Sequence, residues 1–172
     1  MEIKTAMSAS RYVRTVVLAF LAGTFLLAPC RAQVYGTANH TVTVVVQPVT
    51  TLRVNIGTAN LNISGANAVA GVDAMTVTDQ STTLLWGTNS SLRKITVSTS
   101  LGTPLFTLKV LAVNPTVGTA SPEVTLSTLS TDFMLNIGRS SGSCSLRYTG
   151  IALASQGTGT DAHTITFTVQ AQ

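Results

Sequence analysis

Apolar and polar residues alternate with a period of two in short runs along most of this chain, and Gly, Asn, Pro or Ser interrupts the pattern roughly every ten residues. The clearest run is residues 41–47 (TVTVVVQ), with Val42, Val44 and Val46 on one side, Thr41, Thr43 and Gln47 on the other, and Pro48 ending any pairing. The same pattern predicts strands over residues 50–56, 61–63, 74–78, 82–86 and 92–98. It continues in a run opened by Pro104, where Phe106, Leu108 and Val110 oppose Thr107, Lys109 and Leu111. Further strands are expected over 123–126, 132–137, 144–152 and 161–169. No stretch combines an apolar stripe of helical period with a charged opposite face, so essentially no helix is expected. The fold predicted is all-β, an immunoglobulin-like antiparallel β-sandwich of roughly eight to ten strands.

One pattern recurs at both ends: residues 40–47 (HTVTVVVQ) are echoed by residues 163–170 (HTITFTVQ). Both runs then belong to similar half-buried strands, with Thr on the solvent face. Alternatively, one terminal strand leaves its own domain and completes a neighbour's sheet. In that case the candidate strand-mediated assembly residues are Val42, Val44 and Val46, or Ile165, Phe167 and Val169.

The start of the chain reads as a secretory signal peptide over residues 1–32. Lys4, Arg11 and Arg14 precede an apolar run at 16–27, Pro29 breaks it, and Ala32 closes a small-residue cleavage region. The run is shorter than the roughly 20 residues a membrane-crossing helix needs, so no integral membrane segment is expected after cleavage. Leu27-Ala28-Pro29-Cys30 also resembles a lipoprotein acylation box, an alternative that would make Cys30 the first residue. The remainder, 33–172, is the size of one domain. It carries 6 basic and 5 acidic residues, so the whole chain's +4 falls to +1. With these charges widely spread, no basic stripe is left for nucleic acid. Cys144 would be the sole remaining cysteine, which excludes an intrachain disulfide framework. It reads as a small buried hydrophobe or, alternatively, as an intermolecular bridge or reactive thiol.

Chemical motifs are thin. Gly138-Arg139-Ser140-Ser141-Gly142 matches the G-x-S-x-G nucleophile elbow, and Asp161 and His163 follow in triad order. An elbow needs a strand followed by a helix in an α/β sheet, whereas here the next residues read as a strand. A Ser/Gly hairpin turn is the expectation, with no catalytic residues and no enzyme. His40 and His163 would meet if the terminal strands paired but lack a third ligand, so neither a metal nor a cofactor is expected. Three Asn-x-Ser/Thr sequons begin at Asn39, Asn62 and Asn89. Trp86 reads as a core plug, or with Tyr35 and Tyr148 as a carbohydrate-stacking platform.

The leader, the strand pattern and the matching termini (TVTVVVQ and TITFTVQ) resemble bacterial secreted β-sandwich proteins of the cell-surface and pilin-subunit kind. The resemblance implies a non-enzymatic structural subunit of a cell surface or extracellular fibre, located outside the cell, on its surface or in the periplasm. Its expected partners are further copies of itself or another surface protein. The alternative is a monomeric adhesion module that binds a ligand through loops such as 87–91, 114–122 or 154–160.

Overall fold

The computed structural model describes residues 36–55 and 57–172. The leader, its cleavage region, Cys30 and Tyr35 lie outside the described residues. Nine strands form: β1 Thr50–Val54, β2 Ala74–Thr88, β3 Arg93–Thr99, β4 Thr107–Val113, β5 Thr119–Ala120, β6 Val124–Thr125, β7 Thr131–Ile137, β8 Ser140–Leu153 and β9 Ile165–Ala171. They pair antiparallel throughout, in two sheets of order β1-β2-β8-β4-β6 and β5-β7-β3-β9. Two short 3₁₀ turns, Gly65–Asn67 and Ala154–Gln156, are the helical elements among the described residues. The protein is thus all-β, with two antiparallel sheets.

Alternation explains the ladders. On β8 the even positions Cys144, Leu146, Tyr148 and Ala152 turn inward and are buried, while the odd positions, Thr149 excepted, are more open. The apolar faces of both sheets feed one cluster, with Leu84 and Trp86 from β2, Ile95 from β3, Val110 from β4, Phe133 from β7 and Leu146 from β8. Phe133 meets Phe167 of β9 at a ring-centroid distance of 5.2 Å and a tilt of 56°. These residues belong to the compact unit of residues 45–172.

Several strand expectations change. Residues 41–47 form no strand in the described structure: they are exposed and have no ladder partner, and β1 begins only at Thr50. An alternating sequence specifies a face that wants burial, yet a strand exists only where a second backbone accepts its hydrogen bonds. Residues 61–63 likewise lack a ladder, although Leu61 and Ile63 turn partly inward and Asn62 outward. The runs at 74–78 and 82–86 are one long strand, β2. The break read between them is a register shift against β8 between Asp79 and Thr82, where the Asp79 carboxylate accepts the Ser81 N–H at 3.1 Å and its hydroxyl at 2.7 Å.

The expected Ser/Gly hairpin at 138–142 is also corrected. The β7–β8 connection crosses between the sheets, so it joins no hairpin, and Ser140–Gly142 already belong to β8. Gly142 is there for packing: a Cβ on it would lie 2.7 Å from the Trp86 indole.

Candidate functional site

The strand registers give the domain two unlike poles. At one, Thr88 pairs with Ser140, Trp86 with Gly142, and Arg93 with Ala171. At the other, Ala74 pairs with Leu153, Met75 with Ala152, and Thr99 with Ile165. The first pole is packed around Trp86. The second opens into a cleft of about 1080 Å³ whose lining includes Met75, Leu108, Gly150, Ile165 and Phe167. Inward positions that are buried near the first pole become half-buried here on β2 (Met75 and Val77) and β4 (Leu108), while on β9 Ile165, Phe167 and Val169 are half-buried along the whole strand.

Strand β9 borders this cleft and is the outer strand of its sheet. All seven of its residues are in register with β3, so one row of backbone groups is paired and the other row faces outward at the sheet edge. The other outer strands are shielded in different ways. β5 and β6 have two residues each, and β1 follows Pro48 and carries Arg53. β9 has no charge, no proline and no register shift, the features that normally protect an edge.

Of the candidate assembly residues, Ile165, Phe167 and Val169 lie on the inward face of β9, half-buried and packed against the core. Val42, Val44 and Val46 are 71%, 80% and 75% exposed. The two echoing sequences therefore differ, the C-terminal one paired in β9 and the N-terminal one without a ladder partner among the described residues. The end of the chain is held further by Gln172, whose side chain accepts the Asn136 N–H at 2.6 Å and donates to the Asn136 side-chain oxygen at 3.0 Å.

Sequence reasoning missed Asn89, which appeared only as a sequon. Its side-chain oxygen accepts the Val49 N–H at 2.7 Å, and its amide nitrogen donates to the Gln47 carbonyl at 2.8 Å. One amide thus grips the backbone on both sides of Pro48 and fixes where the valine-rich segment joins the domain, at the packed pole. An Asn between two strands with a Pro forty residues earlier carries no local signature of such a bracket.

The residues in triad order are not brought together. Ser140 sits at the packed pole and donates its hydroxyl to the Gly138 carbonyl at 3.1 Å. Asp161 and His163 sit at the cleft, where each holds the connection into β9. The Asp161 carboxylate accepts the Phe106 N–H at 2.8 Å, and His163 Nδ1 lies 3.0 Å from the Thr99 hydroxyl. No group of three or more His, Cys, Asp or Glu side chains is gathered for a metal among the described residues. Among them, no helix is long and apolar enough to cross a membrane.

Trp86 and Tyr148 are both buried, so they present no stacking platform for a sugar. Burial, with the Asp79 carboxylate and Cys144 adding to it, pushes the Tyr148 hydroxyl up to about 12. Burial alone raises the free thiol of Cys144 to about 11, which leaves it protonated and unreactive at neutral pH. Thr82, which also lines the cleft, is buried and its hydroxyl has no hydrogen-bond partner among the described residues. No protein-family model, curated protein or solved structure matches the chain.

Proposed function

We propose that this protein is an exported, non-enzymatic structural subunit with an immunoglobulin-like β-sandwich, and that it builds a cell-surface or extracellular fibre by lending residues 41–47 to the next copy. The observation that carries the reading is the opposite placement of donor and acceptor. An unpaired, valine-rich segment joins the domain at the packed pole, and an uncovered cleft beside an unprotected edge strand lies at the other.

The fit is chemical as well as geometric. Residues 41–47 and β9 are both seven residues long, about 23 Å each when extended. Laid along the free edge of β9, the segment would satisfy that strand's outward backbone groups. Val42, Val44 and Val46 would then turn into the cleft, removing apolar surface from water on both partners. Because donor and acceptor lie at opposite poles, the contact is head to tail, and a head-to-tail contact that does not close on itself propagates as a filament. Secretion of the chain through its leader places the assembly outside the cell, on its surface or in the periplasm.

Light scattering and negative-stain imaging of the protein spanning 33–172 test this. Filaments or an open-ended size series are expected, and deletion of 33–47 abolishes them. Identical polymers from the truncated protein would overturn the role of the N-terminal segment.

A second reading draws on the loop 157–161, which rims the cleft. In it the protein is a monomeric adhesion module whose cleft takes an apolar ligand. A particle that stays monomeric at every concentration, with or without residues 33–47, would favour this reading over the first.

A further inference from the structure

Part of the cleft is already occupied by the chain itself. Between the end of β1 and the 3₁₀ turn at Gly65–Asn67, residues 57–63 form part of its lining without belonging to a strand or helix. Leu61 turns inward onto Gly150 of β8, where a Cβ would lie 3.3 Å from the Leu61 side chain and 3.6 Å from Val77. Gly150 stands between Val77 and Leu108 in the middle of the sheet, so the missing side chain opens a dent in an otherwise apolar floor. A glycine in a strand interior marks such a close approach.

Both ends of this strap are fastened and its middle is not. Upstream, the Asn55 N–H donates to the Thr83 carbonyl at 2.8 Å. Downstream, the Ser64 N–H donates to the Asn67 side-chain oxygen at 2.9 Å, and Asn67 reaches the Thr76 carbonyl at 3.5 Å. Between them, residues 57–63 make no hydrogen bond to other described residues of the domain. Leu61 and Ile63 are inward and only half-buried, so packing is all that holds the strap down.

We infer that residues 57–63 are an internal placeholder: Leu61 fills the Gly150 dent in the free subunit and is pushed out when a second copy's residues 41–47 enter. The inference rests on the assembly reading above and adds its control. The strap keeps the cleft from standing open to water. It cannot match the incomer, because it makes no ladder, whereas a strand on the β9 edge gains a row of backbone hydrogen bonds in addition to its valines. Exchange therefore runs toward assembly, at a rate set by how easily Leu61 lifts.

The experiment follows uptake of a fluorescent synthetic peptide with the sequence of residues 38–47 by the exported protein, using anisotropy. Leu61→Ala is expected to speed uptake about tenfold, the factor set by losing most of a half-buried leucine's packing. In an otherwise unchanged protein, an environment-sensitive dye on Asn62→Cys is expected to report the strap lifting as unlabelled peptide binds. The dye goes to this site because Cys144 is buried. This second measurement does not depend on Leu61→Ala folding. Uptake at the same rate in both proteins with a silent dye would overturn the placeholder and leave the assembly reading standing. Failure of the protein with an unchanged Leu61 to take up the peptide would overturn both.

Discussion

The two halves of the domain are cut from the same strands yet packed differently. Around Trp86, Ile95, Ile137 and Leu146, residues from both sheets close on one another and water is excluded. A few residues further along the same strands, Met75, Val77, Leu108 and Phe167 face the same way and remain half-open. Sequence character does not separate the halves, since both are aliphatic and aromatic with Thr on the outside. What separates them is what lies opposite: the packed ends of β2 and β4 meet the cluster around Trp86, whereas their other ends border the cleft, where Leu61 and Ile63 turn only partly inward. Strands here end up buried according to what lies across from them, as much as by their own composition.

The sharpest way to break this comparison is to truncate two touching phenylalanines. Phe133→Ala, at a site 1% exposed, is expected to cost about 3–5 kcal/mol in urea unfolding. Phe167→Ala should cost roughly half as much, because its side chain already sees the cleft. Equal losses would mean that the cleft is closed in solution.

A pair of glycines on β8 makes the same contrast at smaller scale. Gly142→Ala forces a methyl against the rigid, buried Trp86 ring at 2.7 Å and is expected to destabilise by about 1–3 kcal/mol. Gly150→Ala meets Leu61 at 3.3 Å, on a strap that can back away, and Val77 at an ordinary 3.6 Å, so it should be neutral or stabilise by about 0.5 kcal/mol through reduced backbone freedom in the unfolded chain. A severe loss at Gly150 would show the strap to be as firmly packed as the tryptophan.

The smallest effect is expected from alkali. Cys144 rises from 9.0 to about 11 and Tyr148 from 10.0 to about 12 on folding, so the native state holds both protons more tightly than the unfolded one. Stability from these groups is fully present below about pH 9 and declines as pH climbs through 9–12, since the unfolded chain ionises first. Urea midpoints that stay flat over this range would mean that water reaches Cys144 and Tyr148 in the folded protein.

Much of the fold was legible because burial on one face leaves a period-two trace: β3, β4, β7 and β9 lie close to where alternation put them. Long strands were harder to read. Gln80 and Ser81 look like a turn, yet they bulge within β2, and the Ser/Gly stretch before Cys144 reads as a loop although Gly142 is shaped by Trp86 across the sheet. The two-residue strand β5 is too short for any period to show, whereas β6 falls inside the run expected over 123–126. For the candidate site the difficulty is of another kind. The alternation in residues 41–47 predicts a strand that the described structure does not form, because pattern alone does not say which backbone, if any, pairs with it. The cleft, the strap and the Asn89 bracket arise from contacts between residues far apart in sequence, and no local window contains them.

The separation of the chain into two ladders has a mechanical corollary. In a fibre joined through residues 41–47, tension from one neighbour enters at the Asn89 bracket and runs into β1, loading its rungs with β2 in shear, so that they resist together instead of unzipping singly. The other neighbour pulls on β9, which belongs to the opposite sheet, and no strand pairing links the two sheets. In such a fibre the force would have to cross through the side chains packed between the sheets, and the cluster around Phe133 and Leu146 would be the tensile joint.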